Sequence, residues 1–177
     1  GDSYTDQFNS NVGTRFSAPI VAGIAGLMIS ANGNLDAAQL RARLQEGASK
    51  PFPVSSDPAV PQCHVPASAS DVQSTECSCS TATCGAGMAN ALGAVTAALR
   101  PIAAIGVPAS VSAGQNVLLR ADGSAAACGH NIVSYAWSVV PGSASPPAVQ
   151  GAQTSSATVV APSSGSFTLH LVVTDDA

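Results

Sequence analysis

The stretch from Ile20 to Ile29 constrains this chain more than any other, because ten consecutive residues there are apolar or glycine. A helix through it offers water no polar face, and the run is too short to span a bilayer, so it reads as a fully buried core helix. Pro19, just before it, suits the first turn, where its missing N–H removes a donor that would be unpaired anyway. Gly23 and Gly26 lower helix propensity and are expected to admit neighbouring elements at close range. The polar, turn-rich residues 1–12 ahead of it read as a loop. A loop feeding the N-terminus of a buried helix is a good place to hold a nucleophile.

The chain has 177 residues, enough for one large or two small domains. Charged residues make up 9% of it, against about 25% in ordinary soluble domains. Lys50 is the only lysine and the net charge is −4 without a basic cluster, which argues against nucleic acid as a partner. No stretch reads as a signal peptide or a membrane span, an absence that means little given where the sequence opens; no membrane partner is expected. The chain opens at Gly1 inside what reads as a loop, without an initiator Met, and reads as a fragment.

Past the apolar run, Asn32-Gly33-Asn34 is a stop and turn signal. A second helix follows, with Asp36 as cap, Gln39 as its capping-box partner, and Leu35 and Leu40 as a hydrophobic staple. Ala37, Leu40, Leu44 and Ala48 form its apolar stripe, Arg41, Arg43 and Glu46 face water, and Gly47 is the expected C-terminal cap. A third helix is expected from Asn90, its N-cap, to Leu99, with Leu92, Val95 and Leu99 on its apolar face. Arg100-Pro101 ends it.

Between these helices, residues 50–83 are rich in proline and serine and carry Cys63, Cys77 and Cys79, joined by Cys84. A long irregular loop needs either a function or a staple. Four cysteines here suggest two disulfides and an oxidising, extracellular compartment. Three pairings are possible, and a direct Cys77–Cys79 bond would close a strained short loop, which favours pairings in which each reaches elsewhere. A metal site using these thiols with His64 is the rival, but the spacing lacks the usual Cys-x2-Cys pairs of zinc sites.

Beyond the proline-bracketed linker 101–108 the period changes to two. Val133, Tyr135, Trp137 and Val139 alternate with Ile132, Ser134, Ala136 and Ser138; Phe167, Leu169, Leu171 and Val173 alternate with Thr168, His170, Val172 and Thr174. Shorter strands fit Asn116–Ala121 and Ala157–Ala161, separated by turn clusters, one of them at 141–147. Strands of this size, with a single tryptophan in mid-strand, argue a small β-sandwich with Trp137 as core filler. Cys128 has no evident partner.

Two family resemblances enter on these residues. Gly13 to Gly23, GTRFSAPIVAG, resembles the nucleophile segment of subtilisin-like serine proteases, Gly-Thr-Ser-x-Ala/Ser-x-Pro-x-Val-Ala-Gly. Gly13, Thr14 and Pro19 match as framework, and Arg15 stands where that family has its catalytic serine. The Gly85-x-Gly87 segment leading to a helix is similar to the last helix of the same catalytic domain. The resemblance implies an α/β fold, a parallel sheet with helices on both faces, of which residues 1–100 are an incomplete, helical C-terminal portion. It also implies a secreted serine endopeptidase acting on protein or peptide substrates, whose Asp, His and oxyanion-holding Asn precede Gly1. Family members often bind structural calcium; no such site and no cofactor are identifiable here.

Within the chain nothing replaces the serine. Ser17 lies about 200° round the helix from position 15. Asp2 and Asp6 sit too close before the motif for the family order and read as solvated loop residues. His64, His130 and His170 all follow it and read as surface or loop histidines. A guanidinium is neither nucleophile nor acid at neutral pH, so this chain is expected to be inactive, and residues 1–100 alone to be loosely folded without their sheet.

The second resemblance covers about 105–177. Ala121-Asp122-Gly123-Ser124, Ile132 to Trp137 and Leu171-Val172-Val173-Thr174-Asp175 resemble polycystic-kidney-disease-type (PKD) domains, with Trp137-Ser138-Val139-Val140 in place of the usual Trp-x-Phe-Gly-Asp-Gly. This implies an immunoglobulin-like sandwich over 109–177, lacking its last strand, that contacts protein or polysaccharide or serves as a spacer. The functional readings are thus an endopeptidase fragment, a peptide-binding pseudoprotease, or a β-module that acts by binding.

Overall fold

The computed structural model describes residues 14–71, 76–140 and 146–177, with side chains from Phe16 onward. The expected loop 1–12, with Asp2, Asp6 and Gly13, lies outside the described residues, as does most of the turn cluster at 141–147. The chain divides into two compact units. One joins the described part of Gly1–Ser30 to that of Ala37–Ala97, and the other joins Ala31–Asp36 to that of Ala98–Ala177.

The first unit is helix and loop. Its helices are α1 (Thr14–Ala31), α2 (Ala37–Gly47) and α3 (Ala91–Leu99). Helix α1 starts earlier than the sequence suggests, so Pro19 sits at its sixth residue, beyond the first turn. Its missing N–H leaves the carbonyl of residue 15 without the i→i−4 bond. Nor is α1 fully buried in this chain: Ile24 and Met28, four residues apart, are its buried pair, while Ile20 is 61% and Leu27 57% exposed. A Cβ on Gly23 or Gly26 would meet nothing within 4 Å, so neither glycine serves close packing here. An all-apolar helix exposes whichever faces lack a covering layer, and these residues supply a layer to one face only.

Helices α2 and α3 do cross closely. Gly47 is the last residue of α2 and buried, and its φ is not positive, so it is not a left-handed cap. A Cβ there would run into the Ala94 amide nitrogen, and one on Gly93 would lie 2.5 Å from the Gly47 carbonyl oxygen. Small residues therefore set the contact. Ala94, Ala97 and Ala98 form the buried face of α3, whereas Leu92 is 78% exposed and Leu99 is exposed too. The leucine spacing points to the wrong face because bulk on the other would hold the helices apart.

Asn90 caps α3, its Oδ1 accepting the Gly93 N–H at 3.2 Å. Arg43 is half-buried rather than water-facing and donates from Nη1 to the Ala97 carbonyl at 3.2 Å, a cation on the C-terminal end of a helix. Leu40, Leu44 and Ala48 are half-buried as the stripe requires, and Ala37 is exposed.

In the second unit, the fully buried Asn32 donates from Nδ2 to the carbonyls of Ala98 (3.0 Å) and Arg100 (3.3 Å). Four strands follow: β1 (Asn116–Arg120), β2 (Ile132–Val139), β3 (Ser156–Val160) and β4 (Leu169–Asp175). They form two antiparallel pairs, β1 with β3 from Asn116↔Val160 to Arg120↔Ser156, and β2 with β4 from Ile132↔Asp175 to Val139↔Leu169. Residues of all four strands share one core: Val117, Leu119, Trp137, Ala157, Val159 and Leu171. That is a small sandwich, built on period-two alternation. Trp137 is 5% exposed, and its Nε1–H donates to the Thr154 carbonyl at 3.0 Å.

Alternation fails at Val133, which is 61% exposed. The register between β2 and β4 shifts between Ile132 and Ser134, and the extra residue turns Val133 outward. Residues 102–106 pair with this unit, through Ile102↔Ala125 and Gly106↔Arg120.

Candidate functional site

Two places carry chemistry-bearing residues, the start of α1 and the cysteine loop. At the first, Thr14 and Arg15 are the first two residues of α1, and Gly13 lies outside the described residues. Position 15 is therefore in the first turn, where unpaired N–H groups and the positive end of the helix dipole favour an anion. No acidic residue occupies that turn. A cation in the first turn of a helix opposes the dipole by about 0.3–1 kcal/mol. Ser17 is described and exposed.

The cysteine loop is stapled twice, Cys63 to Cys77 and Cys79 to Cys84. This is one of the arrangements in which Cys77 and Cys79 each reach elsewhere. Backbone bonds hold the same segments together: the Cys63 N–H donates to the Ser78 carbonyl (3.0 Å), and the Ser78 N–H to the Pro61 carbonyl (2.8 Å). Cys84 closes a turn by donating its N–H to the Ser80 carbonyl at 2.9 Å. Ser78 is buried, and its Oγ accepts the Ser55 N–H at 3.3 Å. The two disulfides lie side by side, with Cys63 Sγ 3.9 Å from Cys79 Sγ. A cavity of about 250 Å³ opens beside them, lined by Phe52, Pro53, Ser55, Glu76, Ser78 and Met88 among others.

His64 does not join the sulfurs. Its Nε2 lies 2.9 Å from Asp71 Oδ1, and the other carboxylate oxygen of Asp71 accepts the Ala67 N–H at 2.8 Å. The Ala67 N–H first, and His64 second, hold the Asp71 carboxyl below the usual carboxylate range. This pair escapes a reading of the sequence by motif, although a histidine seven residues before an aspartate, with prolines and serines around them, is a signal for a turn that a carboxylate closes. Of the other histidines, His130 Nδ1 lies 3.1 Å from Asp176 Oδ1, and His170 is exposed on β4. Cys128 is a free, exposed thiol.

Among the described residues, Cys63, Cys79 and Cys84 offer metal-ligating atoms, all within 4.8 Å of one another. Calcium takes oxygen ligands, so this sulfur cluster does not fit it and no role for calcium is derived. No described helix is long and apolar enough to cross a membrane.

Comparison with known proteins follows the same division. Residues 1–87 match the model of the Subtilase family, and residues 106–177 match that of the K319L-like PKD domain. No curated protein matches the chain. Among solved structures, it is similar to a nucleoside hydrolase-related hypothetical protein from Saccharophagus degradans associated with carbohydrate metabolism. The identity is 25%, over 49% of this chain and 25% of that one, with a TM-score of 0.37, and a likeness that distant carries no argument. This chain spans a quarter of that protein's length. Residues 1–87 thus resemble the subtilase family, and residues 106–177 a PKD domain.

Proposed function

We propose that the chain is the C-terminal part of a secreted subtilisin-like serine endopeptidase, residues 1–100, joined by 101–108 to a PKD module at 109–177, and that it is catalytically silent. The observation that carries the reading is Arg15. It occupies the nucleophile's place in a segment that otherwise matches the family pattern through Gly13, Thr14 and Pro19, and it stands in the first turn of α1. In that family's chemistry a serine hydroxyl attacks the peptide carbonyl, a histidine takes its proton, and an aspartate orients the histidine. Arginine offers no electron pair for the first step at neutral pH. By the family's chain order the aspartate and histidine precede Gly1, so protein substrates belong to the longer protein. The two disulfides support secretion, because such bonds persist in oxidising compartments.

The experiment is fluorophosphonate labelling of the longer protein that contains this segment. No label on the Arg15 form, and labelling restored by Arg15→Ser, is the expected pair of results. Labelling of the Arg15 form at a serine would overturn the reading. If Arg15→Ser restores nothing, the upstream residues have also lost their chemistry, and a peptide-binding pseudoprotease replaces the endopeptidase in this proposal.

A further inference from the structure

The cysteine loop places four sulfur atoms in one spot, and backbone hydrogen bonds join the same segments as the S–S bonds. The Cys63–Ser78 and Ser78–Pro61 hydrogen bonds fix residues 61–63 against 77–79, and the Ser80–Cys84 turn returns Cys84 to the same place. Two stapling bonds serving only to close loops need not touch. These do: Cys63 and Cys79, from different disulfides, have sulfurs 3.9 Å apart, and Cys84 Sγ is within 4.8 Å of both. In a tetrahedral zinc site with Zn–S bonds of about 2.3 Å, neighbouring sulfurs are about 3.8 Å apart. The distance between the disulfides is already that edge.

We propose that, when both disulfides are reduced, Cys63, Cys77, Cys79 and Cys84 form a tetrathiolate site for zinc or a similar soft divalent ion. The loop then has two alternative staples, a pair of disulfides or one metal ion. Cys77 is the fourth ligand rather than His64. Its Cα is 4.9 Å from that of Cys63, so opening the bond leaves its sulfur within a side-chain rotation of the others, while His64 is engaged by Asp71. A dithiol or phosphine reductant supplies two electrons to each disulfide; each S–S bond breaks and takes up two protons, giving four thiols. Zinc then displaces four protons to solvent as four Zn–S bonds form. Cys63, Cys77 and Cys79 are half-buried and Cys84 is exposed, so reductant and ion have access.

The test uses the full chain, reduced with a phosphine and desalted without oxygen, and counts thiols that react with a chromogenic disulfide reagent. All five cysteines are expected to react without metal, and one, the exposed Cys128, in the presence of zinc. Protection of fewer than four thiols overturns the proposal. Cobalt in place of zinc should give sulfur-to-metal charge-transfer bands and the intense visible bands of a tetrahedral thiolate site; their absence also overturns it. Cys77→Ser should weaken zinc binding by at least about 10-fold, the loss seen even for outer-shell partners, and His64→Asn should leave it unchanged. The reverse result refutes the ligand assignment.

Discussion

Alanine at Gly47 and at Gly26 should act in opposite directions. A Cβ on Gly47 meets backbone atoms of α3: the Ala94 amide nitrogen, Ala94 Cα at 2.5 Å and the Gly93 carbonyl carbon at 2.6 Å. Backbone cannot rotate away as a side-chain tip can. Ordinary carbon contacts begin at about 3.5 Å, so α2 and α3 must part by about 1 Å or the end of α2 must unwind. Overpacking of this kind costs about 1–3 kcal/mol, and Gly47 is the last residue of its helix, where the propensity gain from alanine is small. Gly26 is the contrary case, inside α1 with nothing within 4 Å of a built Cβ. There alanine should add about 1 kcal/mol to local helix stability. Urea denaturation followed by helical circular dichroism, on both single variants and the double, reads these effects, and effects at such separate sites should add. Wild-type stability for Gly47→Ala with an unchanged m value would refute the close helix crossing. Destabilisation by Gly26→Ala would refute the open face of α1. In a longer protein whose sheet covers that face, the Gly26→Ala gain should vanish or change sign.

Two further outcomes follow from single side chains. Trp137→Phe removes the hydrogen bond to Thr154 while leaving most of the core filled, and should cost about 0.5–1.5 kcal/mol for that bond in addition to the lost volume; Trp137→Ala should cost about 3–5 kcal/mol, and equal losses for the two in denaturant unfolding would sink the packing account. Asp71 has a depressed carboxyl pKa in the folded chain, so its contribution is complete above the unfolded value of about 3.9 and is lost as the pH falls through the lower folded value. An NMR titration should therefore place Asp71 below that value, with Ala67 amide protection falling as it protonates; titration at or above about 3.9 refutes the clamp.

The β module is the more legible half, and its strands fall where period-two alternation puts them. Val117, Leu119, Val159 and Leu171 face a core that the chain itself completes, so the pattern and the packing agree. The exception, Val133, needs a bulge that no residue type announces. In the helical half three helices are readable and Asn90 caps α3 as expected, but the start of α1, the end of α2 at Gly47 and the buried faces are not. Leu92 and Leu99 have helical spacing and are exposed, because closeness between α2 and α3 is set by Gly47, Gly93 and Ala94 instead. Small residues bury a helix by letting backbones approach, and periodicity of large residues cannot detect that. Arg43 departs from its expected place for a related reason: its charge suggests water, while the Ala97 carbonyl offers it a place on the helix end.

On the proposed reading of Arg15, a segment at the start of α1 keeps its family pattern without its nucleophile, and the backbone says how. A proline inside a helix and glycines on an apolar face are constraints on backbone, and they act whatever side chain stands at position 15. Pro19 sits four residues after that position, where its missing N–H leaves the residue-15 carbonyl without its i→i−4 bond in the helix. That geometry is independent of hydroxyl or guanidinium. The nucleophile adds almost nothing to folding, since a helix opens as readily with Ser as with another residue in its first turn, and an arginine there costs no more than about 1 kcal/mol. If position 15 is the nucleophile's place, as proposed, exchanging serine and arginine there should change reactivity while barely moving stability. The framework and the chemistry respond to different perturbations, and Arg15→Ser should be close to neutral in denaturant unfolding of this chain even where it restores labelling of the longer protein.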